Sequence, residues 1–181
     1  IGEFADRYGR KIAFLITTAL TLLGYLLCAF SIGHRFIIPL FVARLIMGAS
    51  AGNLSLCLSA LSDLSASHKE KVRYYGIGSI IAGLTFVLGP FIGGKLSDPT
   101  VHSWFNLAFP MWIGAALALI NWVFLLAAFV ETHHEYTKER FDFIKGIHNI
   151  KLAFKSPSLK MLYFMYFFYL LSWNMLFQLI P

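Results

Sequence analysis

IGEFADRYGRKIAFLITTALTLLGYLLCAF, residues 1–30, sets a knot of charge and glycine directly against a long run with no charge at all. Asp6, Arg7, Arg10 and Lys11 crowd around Gly2 and Gly9, and the apolar run then continues to about residue 32. About 20 mostly apolar residues is the length that crosses a bilayer as a helix. So abrupt a change suits a short turn between two membrane-spanning helices. Glycines permit a turn too tight for side chains, and cations hold such a turn at the cytoplasmic face.

Working outward from residues 12–32, four further stretches qualify as spans, at roughly 36–61, 75–96, 104–130 and 159–181. The whole chain of 181 residues is 58% hydrophobic and 17% aromatic, with a mean hydropathy of +0.69, far from the balance of a soluble domain. Only helices and closed barrels satisfy the backbone in hydrocarbon, and these runs are too long for strands. The expected fold class is therefore all-α integral membrane. The first run is too long for a cleaved signal peptide and has no small-residue cleavage site. It begins just after a turn, and the last run is still apolar at Pro181. The chain is thus expected to be an internal fragment of a larger polytopic protein.

The net charge of +6 is distributed in a way that excludes a nucleic-acid role. Three Lys/Arg lie in 1–11, three in 69–73 and six in 138–160, against only Arg35 and Lys95 in the two intervening connections. Twelve against two is a positive-inside asymmetry, which predicts segments 1–11, 62–74 and 131–158 on the cytoplasmic side. Within 131–158, Phe143, Ile147, Ile150 and Phe154 share one helical face. Lys145, Asn149, Lys151 and Lys155 take the other side, whereas Phe141 and Leu152 break the pattern. This predicts a helix along the cytoplasmic membrane surface within a linker. The expected organisation is a helical bundle over 1–130, the linker over 131–158, and the first helix of a second bundle over 159–181.

Cys28 and Cys57 fall inside apolar segments and read as small core residues. His133 and His134 beside Glu131 and Glu135 read as a solvated charged linker, so no metal and no cofactor are expected. There is neither a phosphate loop nor a nucleophile set, and the chain is expected not to be an enzyme.

Three motifs then speak together. Gly2, Ala5, Asp6, Arg7, Gly9, Arg10 and Lys11 match a Gly-x-Leu-Ala-Asp-Arg-x-Gly-Arg-Lys loop, with Phe4 in place of leucine. ARLIMGASAG places Arg44 in an apolar run, with Gly48 and Gly52 four residues apart. A buried arginine there costs at least about 2.5–3.5 kcal/mol and usually faces a cavity or a partner. GIGSIIAGLTFVLGPFIGG carries Gly76, Gly89, Pro90, Gly93 and Gly94, with Thr85 where a further glycine is usual. Pro90 deletes a backbone donor, and Gly89 and Gly93 make a smooth face for close helix contact.

In this order, the motifs resemble those of the major facilitator superfamily, in its drug:proton antiporter branch of multidrug and tetracycline-resistance exporters. The resemblance implies the third to seventh helices of a twelve-helix fold whose two halves rock about a central site. It implies that Asp6 faces a helix terminus of the other half, that Asp63 pairs with Arg7 or Arg10, and that Arg44 serves proton coupling. Its third motif is the antiporter signature. It further implies a monomeric multi-pass protein of the plasma membrane (the inner membrane if bacterial), with a small-molecule substrate, protons and the bilayer as partners. Asn53, Tyr166, Trp173, Asn174 and Gln178 are candidate substrate-cavity residues. The rival readings are a proton-coupled uptake symporter for a sugar or other metabolite, and a channel-like or non-transporting membrane protein.

Overall fold

A computed structural model describes residues 1–132 and 157–179, with side chains in the second stretch at 160–172 and 175. The expected surface helix within 131–158, and His133, His134 and Glu135, lie outside the described residues. The described chain is helical: α1 (Gly2–Tyr8), α2 (Arg10–His34), α3 (Ile37–Ala49), α4 (Asn53–Leu64), α5 (His68–Ser97), α6 (Phe109–Ala128) and α7 (Pro157–Leu179). It divides into two compact units, Ile1–Lys138 and Glu139–Pro181. The second contributes α7.

Local chemistry fixes the helix ends. Ser67 Oγ accepts from Glu70 N at 3.3 Å, and Glu70 Oε2 accepts from Ala66 N at 3.0 Å, a reciprocal cap that starts α5. Asn106 Oδ1 accepts from Ala108 N at 2.9 Å, just ahead of α6 and its early proline, Pro110. Arg35 ends α2 in the left-handed conformation, at φ 58°. In the connection between α5 and α6, Thr100 donates to Asp98 through both its hydroxyl and its backbone N–H. Those two bonds hold the Asp98 carboxyl below the usual carboxylate range.

Among the described residues, four stretches are long and apolar enough to cross a membrane: Arg10–His34, Ile37–Leu64, His68–Ser97 and Phe109–Ala128. Their large side chains point outward. Ile38, Leu45, Val87 and Phe124 are all exposed, and α5 buries none of its residues. Such a surface suits lipid and not water.

The expected span over 36–61 is present as one stretch, but it is built of two helices, α3 and α4, parted at Ser50–Gly52. Ser50 N is shared between Ile46 O (3.1 Å) and Met47 O (3.2 Å), and Ala51 N then turns to Gly48 O (3.2 Å). That tightening ends α3. The backbone restarts with Leu56 N donating to Gly52 O at 3.1 Å. Ser50 is buried, and its hydroxyl lies 3.0 Å from that of Thr21 on α2. Broken helix at membrane depth is tolerated where protein covers it, and Ser50 is so covered. Close backbone approach at Gly48 and Gly52 does not occur among the described residues. Gly48 faces open space, and Gly52 lies against the Ile1 side chain. Pro90, by contrast, leaves α5 unbroken.

One core cluster, Ala5, Ala13, Phe14, Leu56, Ala60 and Leu125, joins α1, α2, α4 and α6. Small residues let these helices approach closely, and Phe14 meets Phe129 edge-on at 5.3 Å. Trp122 Nε1 donates to Leu15 O at 3.1 Å, tying α6 to α2. This cluster lies at the end of the unit where α2 begins and α4 and α6 finish. Segments 1–11, 63–64 and 129–131 therefore share one face, as the charge pattern predicts. With Cys28 and Cys57 replaced, a His68→Cys variant should react with an impermeant maleimide only from the cytoplasm, and Trp104→Cys only from outside. Reaction of position 68 from outside would overturn the orientation.

Candidate functional site

The opening motif forms a short helix, a one-residue turn and the start of a long helix. Gly2 faces open space at the start of α1. The turn is made at Gly9 alone, whose φ of 97° is a conformation that side chains resist. Gly9 is also crowded, because a Cβ there would overlap Oε2 of Glu131.

That turn delivers Arg10, the most buried charge of the motif, with 8% of its side chain exposed. Its Nη1 lies 3.0 Å from Asp6 Oδ1, and its Nε donates to Asp63 Oδ2 at 3.0 Å. One planar guanidinium thus bridges α1 and the C-terminal end of α4, a task suited to its fork of fixed donors. Asp63 is 24% and Asp6 45% exposed at the side chain, so the bond to Asp63 is the stronger of the two. Between the two arginines that the motif offers to Asp63, the structure selects Arg10. Arg7 instead lies over the Tyr8 ring at 5.5 Å. Lys11 Nζ donates to Leu126 O on α6 at 3.3 Å.

Glu131 completes this junction, and its part is not legible from the sequence. Its Oε1 accepts from Arg10 N at 2.8 Å and its Oε2 from Lys11 N at 3.0 Å. A carboxylate 121 residues away thus takes two of the orphan donors that open every helix. The clue is an α2 whose first turn carries two cations and no acid and whose capping position is a glycine.

Arg44 lies exposed on α3, in the half of the span that begins at Ile37, and forms no ion pair among the described residues. Asn53, which opens α4, lines an apolar cleft of about 560 Å³ with Cys57, Leu61, Ile81 and Thr85. Its Oδ1 is shielded from solvent and has no hydrogen-bond partner among the described residues. Gly76, Gly89, Gly93 and Gly94 on α5 all face open space. Tyr166 is exposed on α7, in the second unit. The side chains of Trp173, Asn174 and Gln178 lie outside the described residues. Among the described residues no group of His, Cys, Asp and Glu could hold a metal ion.

The family model for the Major Facilitator Superfamily matches residues 1–181. The class H tetracycline resistance protein of Pasteurella multocida is 34% identical over 60% of this chain and 26% of its own length. The class B tetracycline resistance protein of Escherichia coli is 28% identical over 91% of this chain and 39% of its own. The quinolone resistance protein NorA of Staphylococcus aureus is 31% identical over 67% of this chain and 29% of its own. The chain therefore spans between about a quarter and two fifths of the length of these three relatives. No solved structure matches significantly.

Proposed function

Because this chain belongs to the Major Facilitator Superfamily, a family of membrane transporters and not of enzymes, we propose that the whole protein exports drug-like small molecules in exchange for protons by alternating access. The observation that carries this reading is the Arg10 junction. Asp6 and Arg10 of the signature turn and Asp63 of α4 meet in one bonded set. Such a clasp on one face of a helical unit is a contact that one state of a rocking transporter can hold and another can release. Outward direction is supported by the glycine and proline pattern of α5 and by relatives named for tetracycline and quinolone resistance. Arg44 is assigned to proton coupling. Asn53, beside its apolar cleft, is assigned to the substrate path together with Tyr166, Trp173, Asn174 and Gln178. The protein acts as a monomer in the plasma membrane.

Expression of the full-length protein in a drug-sensitive bacterial host tests the reading. Cells should accumulate less tetracycline or fluoroquinolone than controls, and an uncoupler that collapses the proton gradient should abolish the difference. Raised accumulation would favour uptake instead.

A further inference from the structure

We propose that Glu131 is a positioning residue for the signature turn: its carboxylate, arriving from the end of α6, caps α2 and holds the Asp6–Arg10–Asp63 junction in register. The proposal rests on the transport reading above for its consequence, and on the geometry alone for its contact. Three observations converge on it. Gly9 offers α2 no side-chain cap, and the first turn of α2 carries no acidic residue. Arg10 and Lys11 place two cations where the helix dipole favours anions. Glu131 supplies the anion, with one oxygen for each of the two leading amides.

Arg10 is held at both ends as a result. Its backbone N–H is bound to Glu131, and its guanidinium is bound to Asp6 and Asp63. Loss of the cap frees the first turn of α2 and with it the base from which the guanidinium reaches. Gly9 serves the same contact, because a side chain there would collide with the carboxylate. Thr132 N also donates to Glu131 Oε1, at 3.0 Å, so the chain leaving α6 is turned by the same group that starts α2. The end of α6 and the signature turn are thus joined through one carboxylate.

The test uses the full-length protein in proteoliposomes, with tetracycline as the probe. Amide exchange at Arg10 and Lys11 reads the cap, and the maximal rate and KM of proton-driven transport read its consequence. Glu131→Ala should speed exchange of these amides by roughly two- to thirty-fold, the range for losing a helix cap. It should lower the maximal rate while KM stays near wild type. Glu131→Gln keeps the size and one acceptor, so it should fall between wild type and alanine in both readouts. Gly9→Ala should cost the wild type more than it costs the Glu131→Ala background, because only the wild type has a carboxylate to displace. Wild-type exchange in Glu131→Ala would overturn the proposal, as would strict additivity with Gly9→Ala. So would a merely structural loss, in which the amount of folded protein falls but its turnover does not. If the wild type moves no tetracycline, the transport reading fails by itself. The amide arm then still decides whether Glu131 holds the turn.

Discussion

Arg10→Ala should be the most damaging single substitution in the Asp6–Arg10–Asp63 junction. The guanidinium is almost fully enclosed and serves two carboxylates from different helices. Hydrogen bonds to charged groups contribute about 1.5–3 kcal/mol each when partly buried. The exposed share of Asp6 must be discounted, so a total of about 2–3 kcal/mol is expected, most of it from Asp63. If that energy favours one transport state, its removal changes the ratio of states by roughly thirty- to a hundred-and-sixty-fold. Arg10→Lys should recover only part of the loss, because a point charge cannot fork to both partners. Asp63→Ala combined with Arg10→Ala should cost less than the two separate losses added together. Thermal unfolding and transport rate, measured on all four proteins of that cycle, check it. Strict additivity would mean that the two residues act apart. Asp6→Asn should act in the same direction with a smaller effect, since that carboxylate is nearly half exposed.

The second large effect is expected at Arg44. An arginine within an apolar span carries a cost of about 2.5–3.5 kcal/mol, and here it gains no ion pair among the described residues. Arg44→Ala should therefore leave insertion and folding intact. What it should remove is coupling, since on the proposed reading Arg44 serves a proton-binding carboxylate supplied by the whole protein, whose pKa a nearby cation would lower. The expected phenotype is a protein that binds tetracycline yet cannot drive it against a gradient when a proton gradient is imposed. Transport at the wild-type rate under the same gradient would make the arginine structural.

Long-range polarity decided what could be read from the amino-acid order. The spans follow from run length, and the shared face of segments 1–11 and 63–64 from where Lys and Arg fall, and neither depends on tertiary detail. The Asp63 partner was narrowed to two arginines, and only the positive φ of Gly9 decides between them by turning Arg10 inward. The break at Ser50–Gly52 was hidden for a different reason. Serine, alanine and glycine are ordinary residues of packed membrane helices, and the break is marked only by contacts with Thr21 and Ile1 from elsewhere in the chain. Glu131 was hidden most completely. Nothing in the sequence around residue 131 announces a bond to Arg10, and only the uncapped, cation-bearing start of α2 called for one. The side chains of Trp173, Asn174 and Gln178 lie outside the described residues, so their place in a substrate cavity stands as proposed.

Proton-coupled export is the central claim, and counterflow in proteoliposomes tests it most directly. Full-length protein would be reconstituted, and labelled tetracycline supplied outside at a fixed concentration. With the lumen made acidic, protons leaving should drive tetracycline in, above its equilibrium level. With the gradient reversed, preloaded tetracycline should be driven out, and without a gradient it should only equilibrate. Accumulation that follows protons in the same direction would instead show a symporter. Equilibration indifferent to the gradient would show a passive pathway, and either outcome would contradict the account.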